Sequence, residues 1–336
     1  MNAFTLKIIA TALMVVDHIA EFVPGMPIWM HWIGRASSPI FLFLCGWSCE
    51  FTRSRPRYAL RLYIGGLLMS LLQSGLGIGN NIFTTLLQVV VIISLLHVGT
   101  LKGKLCGIAL YTLYQCLLIA AFVLFGDALG RLPHLTPILT AATGSVVGLE
   151  GGLFYVVIGV TLWATRQGRI RLTAGFIGLN ALFSLVLSPI GARLFYAIDN
   201  WILLTTGEGP SGPVMGTFHS TLEMLGISFF NMGASPLTTN YQWMMVLALP
   251  LMLLYDRRRG PNVTWFFYAF YPLHILLLYG IGMMLPAAPG MQTIGVAPHV
   301  QVAASPASAS VPGSDAFLRT LPALPAPTMQ DSGTRR

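Results

Sequence analysis

Stretches of about 20 predominantly apolar residues recur along this chain, and no other feature constrains its fold as strongly. A helix rises ~1.5 Å per residue, so such a stretch matches the ~30 Å hydrocarbon core of a bilayer. Measured on that ruler, the sequence predicts spans at 4–23, 28–49, 59–77, 82–98, 105–125, 138–164, 172–190, 241–255 and 264–285. The segment 191–240 is interrupted by Gly207, Gly209, Pro210, Gly212 and Pro213. A re-entrant hairpin, a further pair of spans and an external loop all fit it. The expected fold is all-α, a polytopic integral membrane bundle of about nine to eleven transmembrane helices.

Composition agrees with that reading. Of 336 residues, 55% are hydrophobic and only 9% charged, with a mean hydropathy of +0.72. Water-soluble domains carry about a quarter charged residues, so a soluble enzyme, a disordered chain and a disulfide-stapled secreted module are excluded. The formal charge of +8 would suggest nucleic acid as the partner of a soluble protein. In a membrane chain the basic residues read first as topology signals, and no nucleic-acid partner is expected. One set of alternate loops holds Arg53, Arg55, Arg57 and Arg61, then Lys102 and Lys104, then Arg166, Arg169 and Arg171, then Arg257, Arg258 and Arg259; the other set has only Arg131 and Arg193. Basic loops resist translocation, so the amino terminus is expected in the cytoplasm and the tail outside.

The first apolar run holds Lys7, Asp17, His18 and Glu21 and lacks a small-residue cleavage site, so it is expected to stay in the protein. Cys45, Cys49, Cys106 and Cys116 fall in apolar stretches without metal-ribbon spacing; they read as small hydrophobes, and no metal is expected. After Leu285 the sequence turns to Ala, Pro, Ser and Val. The expected division is a membrane domain over 1–285 and a disordered tail over 286–336 that is dispensable for chemistry.

Ionisable side chains within spans are costly and usually mark function. Successive helical residues advance about 100°, which places Lys7, His18 and Glu21 within roughly 60° of one another on the first helix. Asp17 sits beside that stripe, where it can orient the imidazole or pair with a cation on a neighbouring helix. The second span carries Arg35 one turn after His31. The short loop between the first two spans makes them antiparallel neighbours, so Asp17, His18 and Glu21 can come level with Arg35. Arg35 then either fixes packing as an ion pair or binds an anion. Asn81, Thr84 and Gln88 recur at helical spacing in the fourth span, as interhelical hydrogen bonding or as the lining of a wet cavity. In the last span Tyr268, Tyr271 and His274 share a face beside Pro272. Glu150 falls in the glycine-rich stretch 148–152, where the sixth span can be broken or kinked; it is a further interior acid but is not counted in the expected site. The arginine-rich run of 51–61 reads as a topology anchor, with Arg53, Arg55 and Arg57 also able to attract an anionic, nucleotide-bearing coenzyme. Zinc-protease, phosphate-loop, dinucleotide and serine-elbow motifs do not occur in the sequence.

Five blocks taken in order, LKIIATALMVVDHIAEF, GRASSPIFLFL, NNIFTTLL, LALPLMLLYDRRRGP and WFFYAFYPLHILLLY, resemble the TraX family of bacterial membrane acetylases. Their centres are DH, GR, N-x-F-T and YPLH. The resemblance implies a multi-pass inner-membrane N-acetyltransferase of the kind that acetylates the amino terminus of conjugative pilin, with a distant kinship to multi-span acyltransferases that act on exported sugars. It puts Asp17 and His18 on the DH, Arg35 on the GR, Asn81 on the N-x-F-T and His274 on the YPLH. Ser37 and Ser38 depart from the family pattern, and 105–232 offers few matches.

Acetyl transfer from a thioester needs a base for the attacking group and a positive group at the oxyanion. The expected catalytic set is His18 as base, Asp17 to hold its tautomer, Arg35 at the oxyanion or the donor, and His274. Glu21, Asn81, Tyr271, Arg53, Arg55 and Arg57 are the expected binding residues. Acetyl-CoA is the expected donor, and the acceptor a protein amino terminus presented at the membrane. The alternatives are O-acetylation of an exported glycan, a proton-coupled transporter using the same charges, and a structural subunit whose polar residues only fix packing. These groups lie towards the predicted external side, so either the pantetheine arm threads between helices or a histidine carries the acetyl group across.

Overall fold

The computed structural model describes residues 1–207, 209, 212–261 and 263–285. The tail expected over 286–336 lies outside the described residues. In chain order the helices are α1 (Ala3–Phe22), α2 (Trp29–Gly34), α3 (Ser37–Phe51), α4 (Arg55–Leu76), α5 (Ile82–Leu96), α6 (Leu101–Leu124) and α7 (Gly126–Gly130). They continue as α8 (Leu135–Thr143), α9 (Gly152–Thr165), α10 (Arg169–Leu187), α11 (Pro189–Thr206), α12 (Pro213–Leu225), α13 (Leu249–Leu253) and α14 (Thr264–Met284). Two 3-10 segments, Phe229–Asn231 and Tyr241–Ala248, precede α13. No strand occurs among the described residues, so the all-α expectation holds.

Among the described residues, five helical stretches are long and apolar enough to cross a bilayer: Ala3–Phe22, Arg55–Leu76, Leu101–Leu124, Arg169–Leu187 and Trp265–Met284. The chain is a helical membrane protein. Length and composition thus give five helices rather than the nine to eleven expected, and the difference has local causes. The span expected at 28–49 is divided between α2 and α3 around Arg35 and Ala36. That expected at 138–164 is divided between α8 and α9 by a linker in which Gly144, Gly148 and Gly151 all take positive φ, a conformation that resists side chains. The stretch 241–255 is a 3-10 helix that becomes a short α-helix at Leu249, with Pro250 in its first turn. The uncertain 191–240 segment forms most of α11 together with α12 and the first 3-10 turn.

The ends of the helices are tied by local chemistry. Asn2 caps α1 by accepting from the Thr5 amide at 2.9 Å, and Ser54 caps α4 with Pro56 in its first turn, as suits a helix start. Several termini meet at one end of the bundle, called here the arginine end. The Met1 amine donates to the Leu254 carbonyl at 2.7 Å, and the Ala3 amide to that of Arg258 at 2.8 Å. Glu50 at the end of α3 pairs with Arg166 at 3.0 Å and His97 at 3.2 Å. Arg55 Nε donates to the Cys49 carbonyl at 3.1 Å, and Arg257 Nη2 to the Gln167 carbonyl at 3.0 Å.

The core is built on α3, whose Ile40, Leu42, Phe43, Leu44, Cys45 and Cys49 are buried. It packs against α1, α5 and α9. By contrast α6 keeps Leu105, Leu110, Leu113 and Leu117 more than half exposed, as suits a helix with hydrocarbon as its solvent.

Candidate active site

At the end of α1 away from the arginines, two polar knots meet on adjacent residues. The first is built on a close helix contact. A Cβ on Gly34 would stand 2.3 Å from Asp17 Cβ, so only glycine lets α2 lie this close to α1. That contact brings His31 and Arg35 onto one carboxylate: His31 Nδ1 is 2.7 Å from Asp17 Oδ1, and Arg35 Nη2 is 3.2 Å from Oδ2. A carboxylate only accepts, so His31 Nδ1 carries its proton there. Tyr241 covers the pair, its ring stacked on His31 at 5.5 Å and beneath the Arg35 guanidinium at 5.3 Å. Arg35 Nε is buried and makes no hydrogen bond.

The second knot joins the two ends of the sequence. His18 Nδ1 lies 2.7 Å from His274 Nε2, and His274 Nδ1 lies 2.8 Å from the Phe270 carbonyl. Both rings are more than nine-tenths buried. A carbonyl only accepts, so His274 Nδ1 bears a proton and the Nε2 of its neutral ring is an acceptor. His18 must then donate through Nδ1, and the Nε2 of neutral His18 is left with a free lone pair. That nitrogen is 3.9 Å from Glu21 Oε2, while both oxygens of Glu21 accept from Asn80 Nδ2 at 3.0 and 3.1 Å.

Asp17 therefore does not orient His18, as the sequence reading had it; His274 and the Phe270 carbonyl do. Neighbouring residues on a helix diverge by about 100°, so Asp17 reaches α2 while His18 reaches α14. Tyr271 donates to Glu150 Oε2 at 3.1 Å and accepts from the Ile82 amide at 3.3 Å. This draws the broken α8–α9 linker and the start of α5 to the histidine pair. Asn81 donates to the Gly66 carbonyl and to Gln73 Oε1, and Gln88 to the Gly144 carbonyl. These bonds tie α5 to α4 and to that linker, while Thr84 returns to the Asn81 carbonyl.

A cavity of roughly 380 Å³ runs from the arginine end towards this region. Lys7, Arg61 and Arg259 line it with Cys45, Trp47 and Tyr255, and its deep wall includes Met14, Phe270 and Tyr271. Met14 and Phe270 lie one helical turn before His18 and His274 respectively. Four polar atoms of its lining are buried without a hydrogen-bond partner: Thr11 Oγ1, Trp47 Nε1, Arg61 Nε and Tyr255 Oη. Native proteins rarely leave such atoms unmet, and this set asks for a ligand rich in acceptors. Lys7 shares the face of His18 but serves the cavity, over the Phe267 ring at 5.6 Å. Arg53, Arg55 and Arg57 do not line it. Arg55 instead satisfies the end of α3.

The structure thus gathers Asp17 with Arg35 and His18 with His274 and Glu21, with Tyr271 alongside; Asn81 supports the wall. Sequence reasoning missed His31, Asn80 and Tyr241 and left Glu150 unassigned. His31 had a signal, since it lies four residues before Arg35 and so on the same face. Asn80 immediately precedes the N-x-F-T block. Tyr241 had none, because only the fold brings it across. Among the described residues, no group of three or more His, Cys, Asp or Glu is gathered as a metal site requires.

The family model described as TraX protein matches residues 3–135. No curated protein and no solved structure matches the chain. The matched segment runs from α1 to the start of α8 and holds Asp17, His18, Glu21, Arg35 and Asn81; the blocks carrying Tyr271 and His274 fall beyond it. Over residues 3–135 this chain is therefore similar to the TraX family.

Proposed function

We propose that this protein is a bacterial inner-membrane acetyltransferase that moves an acetyl group from acetyl-CoA to the amino terminus of a membrane-presented, pilin-like protein. The observation that carries the reading is the His18–His274 pair, whose protonation pattern leaves His18 Nε2 free one helical turn beyond a cavity that begins among arginines. In this reading the arginine end faces the cytoplasm, where acetyl-CoA is made, and the thioester reaches the histidines through the cavity. That answers how a cytoplasmic donor meets groups set nearer the outer face. The chain crosses nine times, with α2–α3 and α8–α9 as broken passes, or eleven if α11 and α12 also cross, and the tail lies outside.

The reaction follows from the groups present. The acceptor amine attacks the thioester carbonyl carbon, a C–N bond forms, and the carbonyl electron pair moves onto oxygen. His18 Nε2 takes the amine proton. Arg35, with its unsatisfied Nε, is the positive group for the oxyanion. Collapse breaks the C–S bond, and the proton held by His18 passes to the departing sulfur to give the CoA thiol. His274 stabilises the transient imidazolium by accepting from its Nδ1–H.

The test is transfer of label from radioactive acetyl-CoA by purified protein in nanodiscs, given peptides and glycans from its own host. Label on peptide amino termini is the expected result. Label on glycan hydroxyls would replace the acceptor and keep the chemistry. Proton-coupled transport without acetyl turnover would overturn the reading.

A further inference from the structure

A second pocket of roughly 210 Å³ adjoins the first, and the two share Trp47 and Tyr255 as lining. Arg166, Arg169 and Arg257 line it, with Asp256 as its acidic member. Arg166 is already paired with Glu50 at 3.0 Å, and Asp256 lies 3.7 Å from the amine of Met1. Among the described residues, Arg169 and Arg257 have no acidic partner within ion-pair distance, so the pocket keeps a positive excess.

Two further features point to an anion. Arg169 opens α10, whose cap Gly168 offers no side-chain acceptor. The first amides of this 19-residue helix and its dipole thus add to the positive field, and an arginine is unfavourable at such an end unless an anion answers it. Arg257 is the single non-glycine residue with positive φ among those described, at 65°, a conformation that persists only where the surroundings enforce it. It is held by the Gln167 carbonyl and lies 5.7 Å from the Trp47 ring, with Arg166 5.9 Å from that ring. Trp47 Nε1, buried between the two pockets, has no hydrogen-bond partner.

We propose that this pocket holds the phosphates of a nucleotide-bearing thioester, whose acyl arm runs along the packed Trp47 and Tyr255 rings shared by both linings into the larger cavity. The proposal rests on the acetyltransferase reading and assigns phosphate recognition to Arg169 and Arg257 in place of Arg53, Arg55 and Arg57. The same phosphate chemistry is carried by an anionic lipid headgroup, so the test separates the two sources.

Equilibrium binding of CoA and of pantetheine is measured in nanodiscs of phosphatidylcholine alone and of phosphatidylcholine with phosphatidylglycerol. The wild type is expected to bind CoA at least tenfold more tightly than pantetheine in both lipids. Arg169→Gln with Arg257→Gln is expected to erase that advantage and leave pantetheine binding unchanged. Arg257→Gly keeps the left-handed backbone comfortable, so it is expected to fold as well as the wild type and still lose several-fold in CoA affinity. Equal binding of CoA and pantetheine, or an advantage that survives the double substitution, overturns the phosphate pocket and leaves acetyl transfer to its own assay. An advantage abolished by phosphatidylglycerol gives the pocket to lipid and overturns the nucleotide assignment. Failure to bind either molecule overturns this proposal and the acetyl-CoA reading together.

Discussion

The His219–Asp199 and His18–His274 contacts are of similar length and different consequence. His219 Nε2 meets Asp199 Oδ1 at 2.8 Å and its ring stacks on Phe229 at 4.1 Å; this contact pins α12 against α11 beside a small apolar cluster of Phe183, Leu222 and Phe229. His18 meets another imidazole, itself committed to a backbone carbonyl. The first arrangement ends in a carboxylate, and neither of the two cavities touches it. The second leaves an unshared electron pair near a cavity with unmet polar atoms. Burial of a histidine therefore says little by itself; what its partner can accept or donate decides whether it packs or reacts.

Replacement of the two histidines is the widest test of that contrast. His18→Ala is expected to lower the rate of acetyl transfer about 10²- to 10⁴-fold, the usual contribution of a general base. His219→Ala is expected to leave the rate near wild type and lower stability by about 1–3 kcal/mol through the carboxylate it strands. Thermal unfolding alongside turnover separates the outcomes, and equal rate losses in both variants would erase the distinction.

Substitution of Arg35 by Lys keeps the charge and loses the planar fork, so expression is retained while most activity is expected to go, about 10- to 100-fold, comparable to one lost charge-assisted hydrogen bond. Wild-type turnover in that variant would reduce Arg35 to a packing partner of Asp17. A finer test addresses His274. Gln offers an oxygen that accepts from His18 Nδ1 and Leu offers nothing, so His274→Gln is expected to retain several-fold more activity than His274→Leu. Equal losses would mean that the imidazole does more than accept.

The smallest effects concern how the site is built. At Gly34 an added methyl would sit 2.3 Å from Asp17 Cβ, whereas at Gly75, in α4, nothing stands within 4 Å. Gly34→Ala is expected to destabilise by about 1–3 kcal/mol as α2 is forced from α1. Gly75→Ala should stabilise by up to about 1 kcal/mol through helix propensity. Midpoints of unfolding in detergent read both signs.

These contrasts also explain what the sequence could and could not reveal. Apolar length located α1, α4, α6, α10 and α14, because crossing a bilayer demands an uninterrupted run. It overlooked the break at Arg35–Ala36, where a close helix approach decides the geometry and hydropathy does not change, whereas the glycines of 148–152 did mark the sixth expected span as one that could be broken or kinked. Asp17, His18, Arg35 and His274 stood out because charge within an apolar run is conspicuous. Their pairing was less legible, since adjacency in sequence suggested an Asp17–His18 dyad and the helix turn sends the two apart. Arginines were visible as a class, but which of them line a cavity depends on where α9, α10 and α13 end.

The direction of the two-ring hydrogen-bond chain is set by an oxygen that belongs to the main chain. Any amino acid at position 270 supplies the same acceptor, so mutation there can alter the cavity wall without rewriting which nitrogen of His18 is bare. The lone pair of His18 is thereby insulated from drift at that position, and the neighbouring wall is free to change shape while that nitrogen keeps its address.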